Sequence, residues 1–398
     1  MRKMCWLSLT FVFTMLSCGV EEISRRPDVN REDVWTGPGM NADSGSLEVC
    51  YVTCFDYPDG YDWRTDPEKG AVKCSLVVFA DGLPMMKIPV GDAYEVSSDP
   101  DMHRMINGHL YTDYSTDSET VIKRDGKTIL RYPGREIICG LIVHEDTIHT
   151  LGHCRHGSGF TYRKNGEVVL EKSSGRTFGR LQLEGDIISF AFIETIISDG
   201  GPIERYYRYS DGKVTQAALR DDVRKVWDII TYKGAICYIA TLTGVDNPVL
   251  FKNDQMNAMT MPSGTNPLSF RMMVGEDGVF WEGLLVSSGK EVSSALWLDA
   301  GYCIPFRESM VANSCCVSGD GICCALNPAL YGGVIYRAGE AYSMPEGYTV
   351  MGAGCGAVAN GMYYVGLSSL NGGVPEIWCD GKIETLDVCG YISSVSVY

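Results

Sequence analysis

The histidines are the first group of side chains that could take part in catalysis or metal binding. All six lie between positions 103 and 156. They are His103, His109, His144, His149, His153 and His156. Imidazole can act as a general base or as a metal ligand near neutral pH. His149 and His153 share one side of a predicted strand, but they lie about 13 Å apart at roughly 3.3 Å per residue. A metal site would therefore need ligands from other parts of the fold, and we predict no metal, no cofactor and no catalytic residue.

Aromatic side chains in predicted loops form the second group. The longest loop, residues 56–64, reads DYPDGYDWR and places three rings beside carboxylates and an arginine. Such rings stack on sugar rings while the polar groups bind hydroxyls. The predicted ligand-binding residues share one face of the fold, and they are Tyr57, Tyr61, Trp63, Tyr114, Tyr331, Tyr348 and His156. Alternatively, each ring folds back to cap its own loop or packs inside the fold.

Short hairpins must position these side chains. Residues 121–127 read VIKRDGK, in which alternating apolar residues lead into Asp125-Gly126, a pair suited to a type I′ turn. Comparable turns recur about every 40 residues, at positions 81, 125, 165, 211, 253, 299, 338 and 380. A period in this range with only strands between the turns predicts a β-propeller.

A second series of turns leads into the second strand of each blade, but it has seven members against eight in the first series. The mismatch disappears if residues 391–398 supply the innermost strand of the first blade, which also leaves no sheet edge open. We therefore predict an all-β propeller of eight four-stranded blades over residues 47–398, closed by the C-terminal strand, with seven blades as the alternative.

Both turn series lie on one face of such a propeller, and the other connections lie on the opposite face. Several of these are predicted to be long: residues 56–70, 114–120, 198–204, 327–333 and 370–373 within blades, and 256–267 and 306–313 between blades. Variable loops on a rigid scaffold usually carry binding residues. We therefore expect ligand binding on this long-loop face.

The N-terminus predicts export. Arg2-Lys3 precedes an apolar stretch, residues 6–16, that is too short to span a bilayer. The stretch ends at Ser17-Cys18, which resembles a bacterial lipoprotein signal. We expect a signal peptide at 1–17, a lipid-modified Cys18, a flexible tether at 18–46 and an outer-membrane lipoprotein on the periplasmic or surface-exposed side. An ordinary secretory signal is the alternative.

Cysteines and charge limit the possible functions further. The chain has 16 Cys, and export permits disulfides. Register places Cys315 opposite Cys324 and Cys316 opposite Cys323, and Cys54 and Cys74 face each other with an offset of about one residue; each pair could be a disulfide or two packed thiols. The net charge of −16 opposes nucleic acid, so we expect no nucleic-acid partner.

Enzyme motifs are absent from the sequence: it has no Gly-x-Ser-x-Gly elbow, no phosphate-binding glycine loop and no Ser-x-Asp-x-Gly-x-x-Trp box of sialidases. The hairpin phrases KRDG at 123–126, RKNG at 163–166, FKN at 251–253 and WCDG at 378–381 resemble repeats in β-propeller lipoproteins of Bacteroidetes. That resemblance covers residues 47–398 and implies architecture rather than activity.

We therefore expect a non-catalytic cell-envelope protein that binds a glycan or a protein through the long-loop face. The alternatives are a glycan-degrading hydrolase or lyase, and a structural component of an outer-membrane complex.

Overall fold

The computed structural model contains only strands, turns and irregular segments among the residues that it describes. These are 49–58, 61–62, 74–90, 103–154, 159–177, 181–198, 201–252, 255–275, 278–289, 291–299, 302–306, 310–318, 321–328, 333–337, 339–352 and 354–397. Within this part of the chain, no helix has the length and hydropathy needed to cross a membrane. The predicted signal peptide, Cys18 and the tether lie outside the described residues.

The strands form eight antiparallel sheets, which are the blades of a propeller. The first four blades, with strands in chain order, are blade 1, β1 (Cys50–Asp56), β2 (Cys74–Ala80) and β3 (Leu83–Val90); blade 2, β4 (His103–Ile106), β5 (His109–Ser115), β6 (Glu119–Arg124) and β7 (Lys127–Pro133); blade 3, β8 (Glu136–His144), β9 (Thr147–Cys154), β10 (Phe160–Lys164) and β11 (Glu167–Lys172); and blade 4, β12 (Arg176–Thr177), β13 (Gln182–Glu184), β14 (Ile187–Ser198), β15 (Gly201–Ser210) and β16 (Lys213–Gln216).

The other four are blade 5, β17 (Val223–Tyr232), β18 (Ala235–Leu242), β19 (Val249–Lys252) and β20 (Gln255–Ala258); blade 6, β21 (Thr265–Gly275), β22 (Gly278–Ser287), β23 (Val292–Asp299) and β24 (Tyr302–Pro305); blade 7, β25 (Met310–Ser318), β26 (Gly321–Pro328), β27 (Val334–Arg337) and β28 (Glu340–Ser343); and blade 8, β29 (Tyr348–Thr349), β30 (Gly356–Ala359), β31 (Met362–Ser369), β32 (Glu376–Cys379) and β33 (Lys382–Thr385). The last strand is β34 (Ile392–Val397). Eight blades confirm the predicted number.

Closure of the ring also follows the prediction. Strand β34 pairs antiparallel with β1, from Cys50 opposite Val397 to Cys54 opposite Ile392, and it is the innermost strand of blade 1. The hydroxyl of Ser393 donates to the carbonyl of Thr53, although 340 residues separate them. Blade 1 is thus built from both ends of the propeller sequence, and its inner strand is paired rather than left as an open edge.

The core lies between neighbouring blades. One buried cluster joins Ile239 of blade 5 to Phe270, Trp281 and Trp297 of blade 6. Another joins blades 3 and 4, and its members are Leu151, Phe160, Tyr162, Ile188, Phe190, Phe192 and Tyr209. The blades are therefore held together by apolar contacts between neighbours.

The Asp-Gly and Asn-Gly turns between the outer strands are type I′ hairpins, as predicted. Both central residues have positive φ, for example 51° and 77° at Asp125 and Gly126. The turn also makes a two-way clasp to the next strand inward. The amide of Asp125 donates to the carbonyl of Leu110, and the amide of Leu110 donates back to Asp125 Oδ1, at 2.8 and 2.9 Å.

The same clasp links Asp81 to Cys50 in blade 1 and Asn165 to Ile148 in blade 3. Asp380 accepts from the amide of Tyr363 in the same way in blade 8. The Asp or Asn of the repeat therefore has a structural task, because its side chain satisfies a backbone donor at the start of an inner strand.

Two predicted long connections are short in the structure. In blade 4, β14 continues to Ser198 and pairs directly with Gly201 at the start of β15. The β-branched run 195–197 favours extended backbone, so both strands extend through the predicted loop. In blade 2, residues 116–118 alone join β5 to β6, and Thr116 Oγ1 caps the amide of Glu119 at 3.2 Å. The prediction of long loops here was wrong.

The two predictions of facing cysteines differ in outcome. Cys315 faces Cys324 and Cys316 faces Cys323, which confirms the predicted register, and all four are free thiols in this structure. Cys54, in contrast, faces Val77. Cys54 and Cys74 lie in different core clusters on opposite sides of the blade, so they cannot form the suggested pair. The offset estimate failed because the segment between β1 and β2 does not fix the register.

The clasp predicts a sharp difference between two substitutions at Asp125. Asp125→Ala leaves the amide of Leu110 without its side-chain acceptor and should lower the free energy of unfolding by about 1 to 2 kcal/mol. Asp125→Asn keeps the acceptor, as Asn165 does in blade 3, and should change it by less than about 0.5 kcal/mol. Urea unfolding measures both values. Equal losses in the two variants would contradict the clasp.

Candidate functional site

A polar groove lies between blades 3 and 4, on the face that carries the tight turns. It encloses about 200 Å³. Its walls are His144, Glu145, Thr147, His149, Tyr162, Lys164 and Val169 from blade 3, with Asp186, Ile188, Tyr209, Asp211 and Gly212 from blade 4. This face is opposite to the one on which ligand binding was expected.

Strand alternation explains why so many polar side chains of blade 3 line the groove. His149 is opposite Lys164 in the ladder, and His144 is opposite Thr147. Opposed residues share a side of the sheet, as do residues two apart on one strand, so Tyr162 lies on this side as well. Five polar side chains are thus presented to blade 4 by three adjacent strands.

A buried hydrogen-bonded chain forms the floor. His149 is 6% exposed, and its Nδ1 lies 2.7 Å from the hydroxyl of Tyr162. The Tyr162 hydroxyl is in turn hydrogen-bonded to Tyr209 of blade 4. Burial, the charge of Lys164 and then His144 lower the pKa of His149 to about 4. His149 is therefore neutral at pH 7, and burial raises the pKa of Tyr162 so that its phenol stays protonated.

The rim of the groove carries charge. Glu145 and Asp186 are exposed carboxylates on the inner turns of blades 3 and 4, and His144 Nε2 lies 3.3 Å from Asp186 Oδ1. Asp186 occupies the turn Gly185–Asp186, one residue beyond the predicted position. Lys164 is exposed and makes no hydrogen bond or ion pair within the described part of the chain. Carboxylates, an ammonium group and imidazoles thus face one small space.

An arginine bridges the gap between blades 7 and 8. Arg337 has the same register position as Lys164, as the last residue of the third strand before the outer turn. Its guanidinium donates to the carbonyl of Gly361 at 2.5 Å and pairs with Asp380, both from blade 8. Lys164, at the same position in blade 3, lines the groove instead.

The residues predicted to bind ligand on the long-loop face are spread over neighbouring blades. Tyr57 is 2% exposed and packs against Tyr61, with ring centroids 5.0 Å apart. Tyr114 is half-buried beside Lys123, and the Tyr348 hydroxyl donates to Glu376 Oε1 at 2.9 Å. Trp63, Tyr331 and His156 lie outside the described residues. Tyr57 therefore supports other rings, and the binding role of the group stays a prediction.

Sequence reasoning missed an apolar hairpin on that same face. The paired ends of β14 and β15 carry Ile197, which is 79% exposed, and Ile203, which is 49% exposed. The β-branched run before Gly200 and Gly201 was a signal for this hairpin, but those residues were assigned to a loop.

His103 is a buried histidine outside the groove. It is 1% exposed, its ring lies 5.1 Å from that of Phe55, and its Nδ1 has no hydrogen-bond partner among the described residues. Burial lowers the pKa of His103 to about 4. It is a neutral core residue at pH 7 and not a ligand on the loop face.

Comparison with known proteins gives only distant likenesses. No protein-family model matches this chain, and none of the curated proteins does. Among solved structures, the polysaccharide lyase Uly1 has 12% identity and a TM-score of 0.41, over 86% of this chain and 99% of that one. TolB from Acinetobacter baumannii has 13% identity and a TM-score of 0.36, over 87% and 82%.

A prolyl endopeptidase structure has 10% identity and a TM-score of 0.40, over 71% of this chain, which spans about half (49%) of the endopeptidase. Likenesses this distant carry no argument about the site or the activity.

His103 predicts a loss of stability in acid. Its pKa is about 4 in the folded protein and about 6.5 when unfolded, so the unfolded state binds more protons between these values. The stabilisation by neutral His103 is complete above pH 6.5 and is lost as the pH falls toward 4. His103→Phe should reduce the loss between pH 7.5 and 4.5 by about 2 kcal/mol in urea unfolding. An unchanged loss would contradict this assignment.

Proposed function

We propose that this chain is a cell-envelope binding protein that holds a glycan in the groove between blades 3 and 4 without converting it. The observation that carries the proposal is the convergence, from two blades, of exposed carboxylates at Glu145 and Asp186 with the free ammonium group of Lys164. Sugar hydroxyls both donate and accept hydrogen bonds, so a mixed set of donors and acceptors suits them.

The size of the groove restricts the ligand. About 200 Å³ is smaller than the roughly 300 to 1,000 Å³ of pockets for drug-sized molecules. It corresponds to about six or seven water molecules at roughly 30 Å³ each. We infer that the groove takes one sugar unit at a chain end or branch, with the rest of the glycan in solvent.

Binding without turnover is favoured by the state of His149. A general base works best when its pKa is near the working pH. With a pKa of about 4 and 6% exposure, His149 is a weak base with little access to a substrate. Its hydrogen bond to Tyr162 suits it better to hold a fixed polar floor.

The proposed location follows from the N-terminal sequence. A lipid on Cys18 and a flexible tether would hold the propeller near the outer membrane. A flexible chain of the length of residues 18–46 has a root-mean-square reach of about 30 Å. The propeller could then meet glycans in the periplasm or at the cell surface.

A protein ligand is the second candidate, and a different observation favours it. The apolar residues Ile197 and Ile203 are exposed at the end of a hairpin on the long-loop face. Exposed apolar side chains on a protruding element commonly contact partners.

A glycan array with the full-length protein in detergent tests the first candidate. Lys164→Met and Asp186→Asn should each weaken a hit about tenfold, because each removes a charged hydrogen-bonding group. Lys127→Met, a substitution of the same kind at an exposed position in blade 2, should leave it unchanged. A hit lost only in Tyr61→Ala, products released from the glycan, or silence on the whole array would contradict groove binding without turnover.

Chemical cross-linking in envelope extracts tests the second candidate. Ile197→Glu together with Ile203→Glu should abolish a specific cross-linked product, because charge on the hairpin opposes apolar contact. The control is Val168→Glu, at an apolar position of blade 3 that is 50% exposed. Retention of the product in the hairpin variant, or its equal loss in the control, would contradict this candidate.

A further inference from the structure

We propose that His144, Glu145 and Asp186 form a binding site for a divalent transition-metal ion such as Zn²⁺. The ligand atoms of these three side chains all lie within 4.8 Å of one another. His144 ends strand β8, and Glu145 and Asp186 lie on the inner turns of blades 3 and 4, at the rim of the groove. The proposal does not depend on glycan binding, because the ion alone is the ligand.

The separation of the atoms fits one shared ion. His144 Nε2 and Asp186 Oδ1 lie 3.3 Å apart. Two ligands bound tetrahedrally to Zn²⁺ through bonds of roughly 2.1 Å lie about 3.4 Å apart. Glu145 supplies the third ligand from the exposed turn that follows His144.

The unsatisfied ring nitrogen of His144 is the second observation. His144 Nε2 is shielded from solvent and has no hydrogen-bond partner among the described residues, although the oxygen of Asp186 is so near. The two atoms are thus close without forming a hydrogen bond. Ligands of one metal ion have this relation, since both point at the ion and not at each other.

The turn that carries Glu145 has an unusual backbone conformation. Glu145 and Asp146 both have positive φ, 46° and 60°, and neither is glycine. The other inner turns described in full each contain a glycine, at Gly108, Gly185, Gly234 and Gly361. An acidic pair in this conformation is unfavourable for the backbone, and it holds the carboxylate of Glu145 beside His144.

The ligand types select the kind of metal. One imidazole with two carboxylates suits Zn²⁺ and neighbouring first-row ions, whereas Ca²⁺ and Mg²⁺ prefer sites made only of oxygen. Three protein ligands leave a fourth position for water. The ion would also neutralise two carboxylates that otherwise repel each other in a chain of net charge −16.

Calorimetric titration of the full-length, chelator-treated protein with ZnCl₂ tests the site. Because the chain has 16 Cys, Mn²⁺ serves as a second probe that prefers nitrogen and oxygen ligands to thiolates. We expect saturable binding of one ion and binding weakened about tenfold or more in His144→Ala and in Asp186→Asn. The side chain of Asp186 is 89% exposed, so its substitution should leave folding intact.

The matched control is His109→Ala. His109 also pairs with a carboxylate, since its Nδ1 lies 2.6 Å from Asp125 Oδ2, but it belongs to no three-residue group of ligands among the described residues. Binding should be unchanged in this variant. Absence of saturable binding to the wild type, equal affinity in Asp186→Asn, or an equal loss in His109→Ala would overturn the proposal.

Discussion

The backbone clasp between an outer turn and the inner strand beside it, which blades 1, 2 and 3 share, is the interaction on which the rest of the architecture depends. An Asp or Asn at positive φ turns the chain, donates its amide to a carbonyl of that strand and accepts the same residue's amide with its side chain. One residue thereby fixes a hairpin, a register and the height of the adjacent inner turn. With these fixed, neighbouring blades can pack through their apolar sides alone.

A fixed scaffold of this kind makes the gap between blades the variable part of the tight-turn face. Arg208 of blade 4 reaches the carbonyl of Gly234 in blade 5, and Arg337 of blade 7 reaches that of Gly361 in blade 8. Lys164 has no such bond between blades 3 and 4, and the groove lies there. At the last position of the third strand, Arg337 bridges to the next blade, whereas Lys164 lines the groove.

The repeat, the blade number and the ring closure could be predicted because they depend on tight turns, and Asp-Gly and Asn-Gly pairs mark such turns in the sequence. The register of Cys315 and Cys324 could be predicted for the same reason, since a tight turn lies between them. The predicted pairing of Cys54 with Cys74 was wrong because a long connection, and not a tight turn, separates them in the sequence. The hairpin of blade 4 was not predicted, because Gly200 and Gly201 are typical of a loop. The β-branched residues before them nevertheless continue the strand.

The groove was missed because its residues are related by the repeat and not by spacing along one strand. Glu145 and Asp186 lie on the same turn of successive blades, about one period apart. The spacing of histidines along one strand gives no information about this relation between blades. The repeat places the turn after His144 and the turn with Asp186 at equivalent positions of neighbouring blades. The distances between their side chains, however, depend on how the blades pack, which no sequence pattern predicts.

The pairing of β34 with β1 also sets an order on folding. Blade 1 receives its inner strand from a segment some 340 residues later in the chain, so this sheet has by far the largest loop to close. Blades 2 to 8 can each form from contiguous sequence as the chain is made. The first strands to appear must wait for the last ones, and until then β1 presents an unpaired edge to which another strand could pair.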